Sequence, residues 1–549
     1  MKPLLIAFNA KYIHTNNAVR LLKANSTHDL TIKEFTIKDQ IETILHYIIN
    51  QRPLFVGFST YIWNVEMIKT LIKKLKAMTD IPIILGGPEV SYDAEYFLTH
   101  TKADIIVKGE GEHVIDDIIA YYKDNKPLYN TPSIQTKTLN TPIKENHALN
   151  TLKSPHRFKE DQDDLKNRIM YIESSRGCPF KCSYCLSSLE KTVRFFDIEA
   201  VKSDILYLLK RGAKTFKFLD RTFNANKKAF DIIDFIIENH TQESVFQFEI
   251  TGDTLDNDLV DYIHAHAKKG LFRFEIGIQS THPITNELVG RIQDNEKLFS
   301  MIKKIIHHDV IDLHLDLIAG LPKENLNRFK QTFDDVFDLG AKELQLGFLK
   351  MLRGTLLRRQ APLYNYQFAD KAPYEILQND HLSHCDIQTI QKVETMLEIF
   401  HNKNYFDTYL FSIIKSHTDQ YFDFFLNLYE AYKDNNLPLI GYQLEPLYRF
   451  ITNYLKALNI DEEKLETLKY LYLAKAKTKP KLYFEKISDK KLRQSIIQQV
   501  QSDYQIPQNK LYKNSITAYY KEGYLLALYQ HHQSKLYFIN QKISYSEKL

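Results

Sequence analysis

Three observations predict an α/β architecture: two separate runs of short β-rich segments alternating with amphipathic helical stretches, an Asn-, Thr- and Pro-rich interval between them, and long aromatic helices beyond about Thr355. The first run predicts a doubly wound parallel sheet over residues 1–125 and the interval a linker over 126–167. The second run predicts a partial (β/α)6 barrel over 168–355, and the remainder a mostly helical domain over 356–549. At 549 residues the chain has room for roughly three to four domains of about 150 residues each.

In the first run the strands read as LLIAFN (Leu4 to Asn9), LTIKEFTI (Leu30 to Ile37), LFVGFST (Leu54 to Thr60), IPIILGG (Ile81 to Gly87) and ADIIVKG (Ala103 to Gly109). Between them NVEMIKTLIKKLKAM places Ile68, Leu71, Ile72 and Leu75 on one helical face. The interval DNKPLYNTPSIQTKTLNTPIKENHALNTLKSP has no sustained apolar period. The second run contributes RIMYIESS, TFKFLD, VFQFEIT, LFRFEIGIQS, VIDLHLDLIAG and ELQLGFL, separated by helical segments such as KKAFDIIDFIIEN. In barrels of this kind chemistry sits at the C-terminal ends of the strands. Beyond Thr355, IQTIQKVETMLEIFHN and YFDFFLNLYEAYKD read as amphipathic helices whose aromatic residues serve core packing, and SITAYYKEGYLLALYQHHQSKLYFI reads as paired strands.

Hydrophobic residues make up 44% and charged residues 26%, with a formal charge of +4, which describes an ordinary globular chain without a dominating basic face. Nucleic acid is therefore not an expected partner. Asn9 and Lys11 interrupt the apolar start, and no stretch reaches the ~18 apolar residues of a membrane span. The expected location is cytoplasmic, a reducing compartment where clustered cysteines bind metal or catalyse rather than form disulfides.

Cys178, Cys182 and Cys185 are three of the four cysteines, spaced C-x3-C-x2-C directly after the first barrel strand. Three thiolates on a short loop can each take one iron of a four-iron cluster and leave the fourth iron open. A structural zinc site closes four ligands, and no fourth Cys or His follows at a familiar spacing. Gly177, Pro179 and Lys181 make the segment a loop rather than an apolar core face.

This motif, with Tyr184 just before the last cysteine, resembles the radical S-adenosylmethionine (SAM) superfamily. The resemblance implies a 4Fe-4S cluster on Cys178, Cys182 and Cys185, whose open iron chelates SAM and whose electron cleaves it to a 5′-deoxyadenosyl radical. It also implies Tyr184 near the adenine and Asp220, opening DRTFN after the second strand, at the SAM amino group. The order Glu249, Gln279, Arg291, Asp316 resembles the branch containing oxygen-independent coproporphyrinogen oxidase. There Glu249 and Gln279 would meet ribose or methionine polar atoms, Arg291 the carboxylate and Asp316 a ribose hydroxyl. A planar guanidinium suits a carboxylate, and carboxylates suit hydroxyls. Glu275 shares a strand face with Gln279 and would support it.

The preceding sheet, flavodoxin-like in its pattern, resembles the cobalamin-binding domain of one subgroup through NAKYIHTNNAVRLL, GFSTYIWN, LGGPEVSY and VKGEGE. These motifs fall at strand ends, where open parallel sheets bind ligands. Gly86, Gly87, Pro88 and Gly109 would admit a bulky cofactor, and Ser59 and Thr60 would hydrogen-bond it. The D-x-H-x-x-G motif that supplies an axial histidine is absent, so cobalamin is expected without such a ligand; His14 is the nearest candidate contact. The resulting expectation is a cobalamin-dependent radical SAM enzyme that methylates an unactivated carbon of an unknown small-molecule or peptide substrate, served by a flavodoxin- or ferredoxin-type electron donor. Rival readings are radical oxidation or rearrangement without methyl transfer, and an RNA-modifying methylthiotransferase-like enzyme. Against the latter, no second cysteine triad exists; Cys385 stands apart as a packed thiol. The region after MLRGTLLRRQ resembles a domain of unknown function found behind this cofactor pair, and Arg353 and Arg358 are candidates for facing an anionic substrate.

Overall fold

The structure is a computed structural model that describes residues 1–158, 165–190 and 192–539. Its first sheet comprises β1 (Leu4–Asn9), β2 (Thr31–Thr36), β3 (Val56–Ser59), β4 (Ile83–Gly86), β5 (Ile105–Val107) and β6 (Ile134–Gln135), in the order β2-β1-β3-β4-β5-β6. Strands β1 to β5 are parallel. All six residues of β1 are buried, as an apolar run covered on both faces requires. One core layer gathers Phe8, Ile44, Ile68 and Leu71, and the opposite layer gathers Leu5, Phe55, Ile115 and Ile118.

The expected linker differs from the structure in its first half. There β6 pairs antiparallel with β5, and Leu128 and Ile134 are buried, so this stretch completes the first sheet. Its short apolar segments were too brief to carry a period. Residues 159–164 of the interval lie outside the described residues.

The second sheet begins with β7 (Ile169–Ile172). A small antiparallel pair follows, β8 (Ser175–Arg176) with β9 (Arg194–Phe195), and then β10 (Thr215–Phe218), β11 (Val245–Ile250), β12 (Phe272–Gln279), β13 (Asp312–Ala319) and β14 (Glu343–Phe348). The order β14-β13-β12-β11-β10-β7 is that of a six-stranded partial barrel. Burial alternates strictly along β10 to β13. Phe216, Phe218, Phe246, Phe248, Phe272 and Phe274 occupy the covered face. The other face carries Lys217, Gln247, Glu249, Glu275, Gln279, His314 and Asp316. A parallel sheet buried in apolar material on both sides would show continuous hydrophobic strands. This one keeps a polar concavity.

Two compact units emerge: residues 1–332 with 346–387, and residues 333–345 with 388–549. The boundary expected near Thr355 thus falls later. Residues 346–387 pack with the barrel through Leu349 N–H to the Ala319 carbonyl (2.9 Å) and the Tyr366 hydroxyl to the Gly320 carbonyl (2.8 Å), and include the pair β15 (Gln367–Phe368) and β16 (Ile376–Gln378). The second unit is mostly helical and ends in the antiparallel β17 (Ser515–Tyr520), β18 (Gly523–Gln530) and β19 (Gln533–Ile539); residues 540–549 lie outside the described residues. Its aromatic side chains pack among themselves, with Phe406 and Tyr448 rings 4.5 Å apart. Among the described residues no helix is long and apolar enough to cross a membrane.

Candidate active site: a shared cavity and a cysteine loop

A cavity of about 1470 Å³ lies within the first unit, between the C-terminal ends of the first sheet and those of the partial barrel. Ordinary small-ligand pockets hold roughly 300–1,000 Å³, so this one suits a larger occupant or two side by side. From the first domain it is lined by Asn9, His14, Ser59, Tyr61, Trp63, Gly86, Gly87, Pro88 and Gly109. From the barrel it is lined by Tyr171, Lys217, Arg221 and Glu249, and from the cysteine loop by Gly177, Leu186 and Ser187. An apolar arm bounded by Leu5, Phe55, Ile84, Val107 and Ile118 reaches into the first domain beside the sheet.

Of the residues the sequence reading assigned to the corrinoid, Ser59, Gly86, Gly87, Pro88 and Gly109 line the cavity wall. Thr60 does not. It is fully buried, its N–H donates to the Gly86 carbonyl at 2.7 Å, and its hydroxyl turns back to the Phe58 carbonyl. Gly87 has φ +109°, and a Cβ there would sit 2.6 Å from the Thr60 carbonyl oxygen. Glycine is therefore demanded by the turn's own backbone. The His14 Nδ1 is 2.7 Å from the Tyr171 hydroxyl, so this histidine is tied to the first barrel strand.

Cys178, Cys182 and Cys185 follow β8 on one loop. The loop is anchored where Ser183 N–H donates to the Val289 carbonyl at 2.8 Å. Cys178 Sγ lies 3.7 Å from the Thr222 hydroxyl. Cys182 is buried; burial pushes its thiol up, while the Arg291 guanidinium and the Tyr184 hydroxyl beside it pull the value back. Among the described residues no three His, Cys, Asp or Glu side chains converge on one ion. Thiolates that each take a separate iron need no such convergence. Three cysteines on one loop, with the Arg291 guanidinium beside Cys182, fit an anionic iron–sulfur cluster.

The expected SAM residues divide. Arg291 donates through Nε to Gln293 Oε1 at 2.9 Å and through Nη2 to the Gly277 carbonyl, beside Cys182 and Tyr184. Gln279 ends β12 with φ +69°, beyond a break in register, and its buried Oε1 has no hydrogen-bond partner. The Tyr184 hydroxyl is buried, and burial raises its phenol. Glu249 pairs with Arg221 at 3.5 Å and lines the cavity; burial raises its carboxyl, opposed by Arg221 and Lys217. Asp316 lies 3.1 Å from His314 Nε2 on the polar face. Asp220 departs from the expectation. It is fully buried and accepts from Ser174 N–H (2.9 Å) and from the hydroxyls of Ser174 and Ser175, so it braces the start of the cysteine loop rather than facing the cavity.

Several functional side chains escaped the sequence reading. Lys217 Nζ meets Glu275 at 2.9 Å, and Gln247 donates to the same carboxylate. Their signal was available in the polar alternate positions of FKF, FQFE and FRFE. Glu110 and Glu112, read only as neighbours of glycines, bind Arg176 at 2.8 and 2.7 Å, and Glu110 also binds Arg194 at 2.9 Å. These pairs pin β8 and β9, which flank the cysteine loop, to the turn after β5, and no local pattern announces partners more than sixty residues away. Arg353 faces no open substrate space: its Nε donates to the Tyr374 hydroxyl at 3.0 Å, it pairs with Asp93, and it stacks 3.9 Å from the Tyr96 ring centroid. Arg358 donates to the Met351 carbonyl, its guanidinium 4.7 Å from the Tyr374 ring centroid. Cys385 is exposed rather than packed.

Comparison with known families places a B12 binding domain at residues 4–119, the Radical SAM superfamily at 172–336 and a Protein of unknown function (DUF4080) domain at 363–536. The chain is 21% identical over 311 residues to the cobalamin-dependent radical SAM methyltransferase TokK of Streptomyces tokunonensis, covering 53% of this chain and 46% of that protein. It is also 21% identical over 312 residues to the 2-(S-pantetheinyl)-carbapenam-3-carboxylate methyltransferase of Streptantibioticus cattleyicolor, with the same two shares of 53% and 46%. The match thus spans about half the length of these curated relatives. Among solved structures, the cobalamin-dependent SAM radical enzyme OxsB with aqua-cobalamin and SAM bound superposes with a TM-score of 0.60 at 14% identity, covering 92% of this chain and 81% of that one. TsrM from Kitasatospora setae, with cobalamin and a [4Fe-4S] cluster bound, gives 0.56 at 16% identity, covering 68% and 79%. Both likenesses concern the fold. The two cofactor domains imply SAM, a 4Fe-4S cluster and cobalamin. By its domains, this chain is a radical SAM protein with an N-terminal B12-binding domain and a C-terminal domain of unknown function.

Proposed function

We propose that this protein is a cobalamin-dependent radical SAM enzyme that methylates an unactivated carbon. One observation carries the reading: a single large cavity is bounded at once by the glycine turns of the first sheet, the polar ends of the barrel strands and the cysteine loop. When bound, the cluster supplies the electron that cleaves SAM, and the corrinoid supplies the methyl group.

Cys178, Cys182 and Cys185 would hold the cluster. Arg291, already beside Cys182, would orient the SAM carboxylate through a planar, permanently charged donor pair. Gln279, whose buried oxygen has no partner, Glu249 and Asp316 would accept from the amino and ribose groups, and Tyr184 would bound the adenine side. Ser59, Gly86, Gly87, Pro88 and Gly109 would line the corrinoid, with the apolar side chains of Phe55 and Ile118 bounding the same cavity. No histidine would ligate the corrinoid; the absence of a D-x-H-x-x-G motif supports this, and His14 Nδ1 is engaged with Tyr171 in holding the two domains. A small acidic electron carrier would reduce the cluster, and the methyl acceptor would be a small molecule or peptide admitted between the two domains.

The test is anaerobic purification with cobalamin supplied, followed by iron, corrinoid and 5′-deoxyadenosine analysis under dithionite. Bound corrinoid, about four irons per chain and SAM cleavage that Cys182→Ala reduces to background are expected. Absence of corrinoid, or cleavage untouched by Cys182→Ala, would overturn the reading. Transfer of an isotope-labelled methyl group from SAM into a cell extract separates methylation from oxidation or rearrangement.

A further inference from the structure

Two residues beyond Arg291, Gln293 turns its amide back onto the guanidinium. Its Oε1 accepts from Arg291 Nε at 2.9 Å, while its Nε2 donates to the Ser280 carbonyl at 3.2 Å and to Asn295 Oδ1 at 2.9 Å. An arginine N–H only donates and a main-chain carbonyl only accepts, so the amide fits in this one orientation. Flipped, it would set donor against donor and acceptor against acceptor.

This bracket is fastened to the end of β12. Ser280 directly follows Gln279, and its carbonyl also accepts from Asn286 Nδ2 at 3.0 Å. Asn295 in turn donates through Nδ2 to the Thr281 carbonyl at 2.9 Å. Arg291 is tied to the same strand a second time, through Nη2 to the Gly277 carbonyl. The Gln279 side chain folds into the space that a side chain at position 277 would take: a Cβ on Gly277 would collide with Gln279 Nε2 and stand 4.0 Å from Arg291 Nη2. Gln279 and Arg291 therefore share one corner, and the guanidinium held there stands beside Cys182 and Tyr184.

The start of the following helix does not account for Gln293. That helix, Asn295–His308, is capped by Asp294, whose side chain accepts from the Lys297 N–H at 3.2 Å. The Gln293 amide is committed to Arg291 instead. A long charged side chain fixed in advance leaves less for a ligand to order on binding.

We propose that Gln293 is a positioning residue for SAM: it fixes the Arg291 guanidinium at a set place relative to Gln279, so that the two are preorganised for one ligand. The proposal rests on the reading of Arg291 as the partner of the SAM carboxylate and adds the residue that holds it ready. Gln293 acts through Arg291.

The test is SAM binding, measured by equilibrium dialysis with the full, anaerobically reconstituted chain, in a cycle of wild type, Gln293→Met, Arg291→Met and the double variant. Gln293→Met keeps the length of the side chain and removes its hydrogen bonds. It should raise the Kd for SAM about tenfold, equivalent to roughly 1.4 kcal/mol, at unchanged iron content, and Arg291→Met should raise it at least as much. In the Arg291→Met background the same change at Gln293 should alter Kd by less than about twofold, because its effect passes through the guanidinium. Equal losses in both backgrounds would mark a merely structural residue and overturn the positioning role. So would a Gln293→Met Kd within about twofold of wild type while Arg291→Met weakens binding. If Gln293→Met loses iron or fails to fold, Asn295→Ala, which removes one anchor of the amide, takes its place in the cycle with an expected rise of about threefold, and the same two outcomes decide. SAM binding unchanged by Arg291→Met would instead defeat the reading of Arg291, and this proposal with it.

Discussion

The Asp220 carboxylate takes its hydrogen bonds from Ser174 and Ser175 in full burial, so its charge state belongs to the loop that carries the cysteines. Burial lifts it from the ordinary carboxylate range to about 6, more than those hydrogen bonds lower it. The folded protein therefore holds this proton more tightly than the unfolded chain does. The associated stability is full below the ordinary value near ~3.9 and is lost as pH rises through about 6. Asp220→Asn, which cannot ionise, should remove that dependence: the wild-type melting temperature minus the variant's should fall between pH 4 and 6 and stay level above. A difference constant over that range would show that Asp220 does not titrate as described. The sequence located this aspartate at the end of β10 but could not tell its direction. One strand end offers both a cavity and an interior, and only the partners Ser174 and Ser175, forty-six and forty-five residues upstream, decide between them.

At the scale of elements, the turn after β4 is clamped by a segment that follows the barrel. Glu89, almost fully buried, accepts from the Tyr374 hydroxyl and lies 3.4 Å from Arg353 Nε, and Arg353 in turn reaches Asp93. Burial raises the Glu89 carboxyl, and the neighbouring Arg353 and Tyr374 oppose it. Removing the cation leaves a buried carboxylate uncompensated, so Arg353→Ala should destabilise by about 3–5 kcal/mol and Tyr374→Phe by about 1–2 kcal/mol. Thermal unfolding of the apoprotein measures both, and equal small losses would refute the clamp. Element existence was largely legible: β1 lies at Leu4–Asn9 as predicted, and the helices Val65–Met78 and Tyr421–Asp434 fall within one residue of their segments. The parallel sheet followed from alternation, whereas its order, with β2-β1-β3-β4-β5 side by side, is seen in the structure. The clamp was not legible, because Glu89 and Tyr374 are 285 residues apart and each reads locally as a turn residue.

Across the whole molecule, the two cofactor domains are sewn together by main chain as well as side chain. His14 bridges Ile169 in parallel, the Ile169 N–H donates to the Ile13 carbonyl at 2.6 Å, and the Thr15 hydroxyl donates to the Ile169 carbonyl at 3.0 Å. Arg168 adds a bond to the His14 carbonyl at 2.7 Å and an ion pair with Glu34 at 2.6 Å. The loop after β1 is in effect a short extra rung on the edge of the second sheet. Hinged opening of the chamber would have to break that rung and its flanking ion pairs together, which makes a clamshell an expensive doorway for a bulky guest. Timing then governs occupancy: chains that mature alongside the corrinoid should carry much more of it than finished chains later soaked in the same concentration for hours. Equal uptake by both preparations would mean that the seam opens freely. A seam that closes around the guest would make the guest a template for its own compartment.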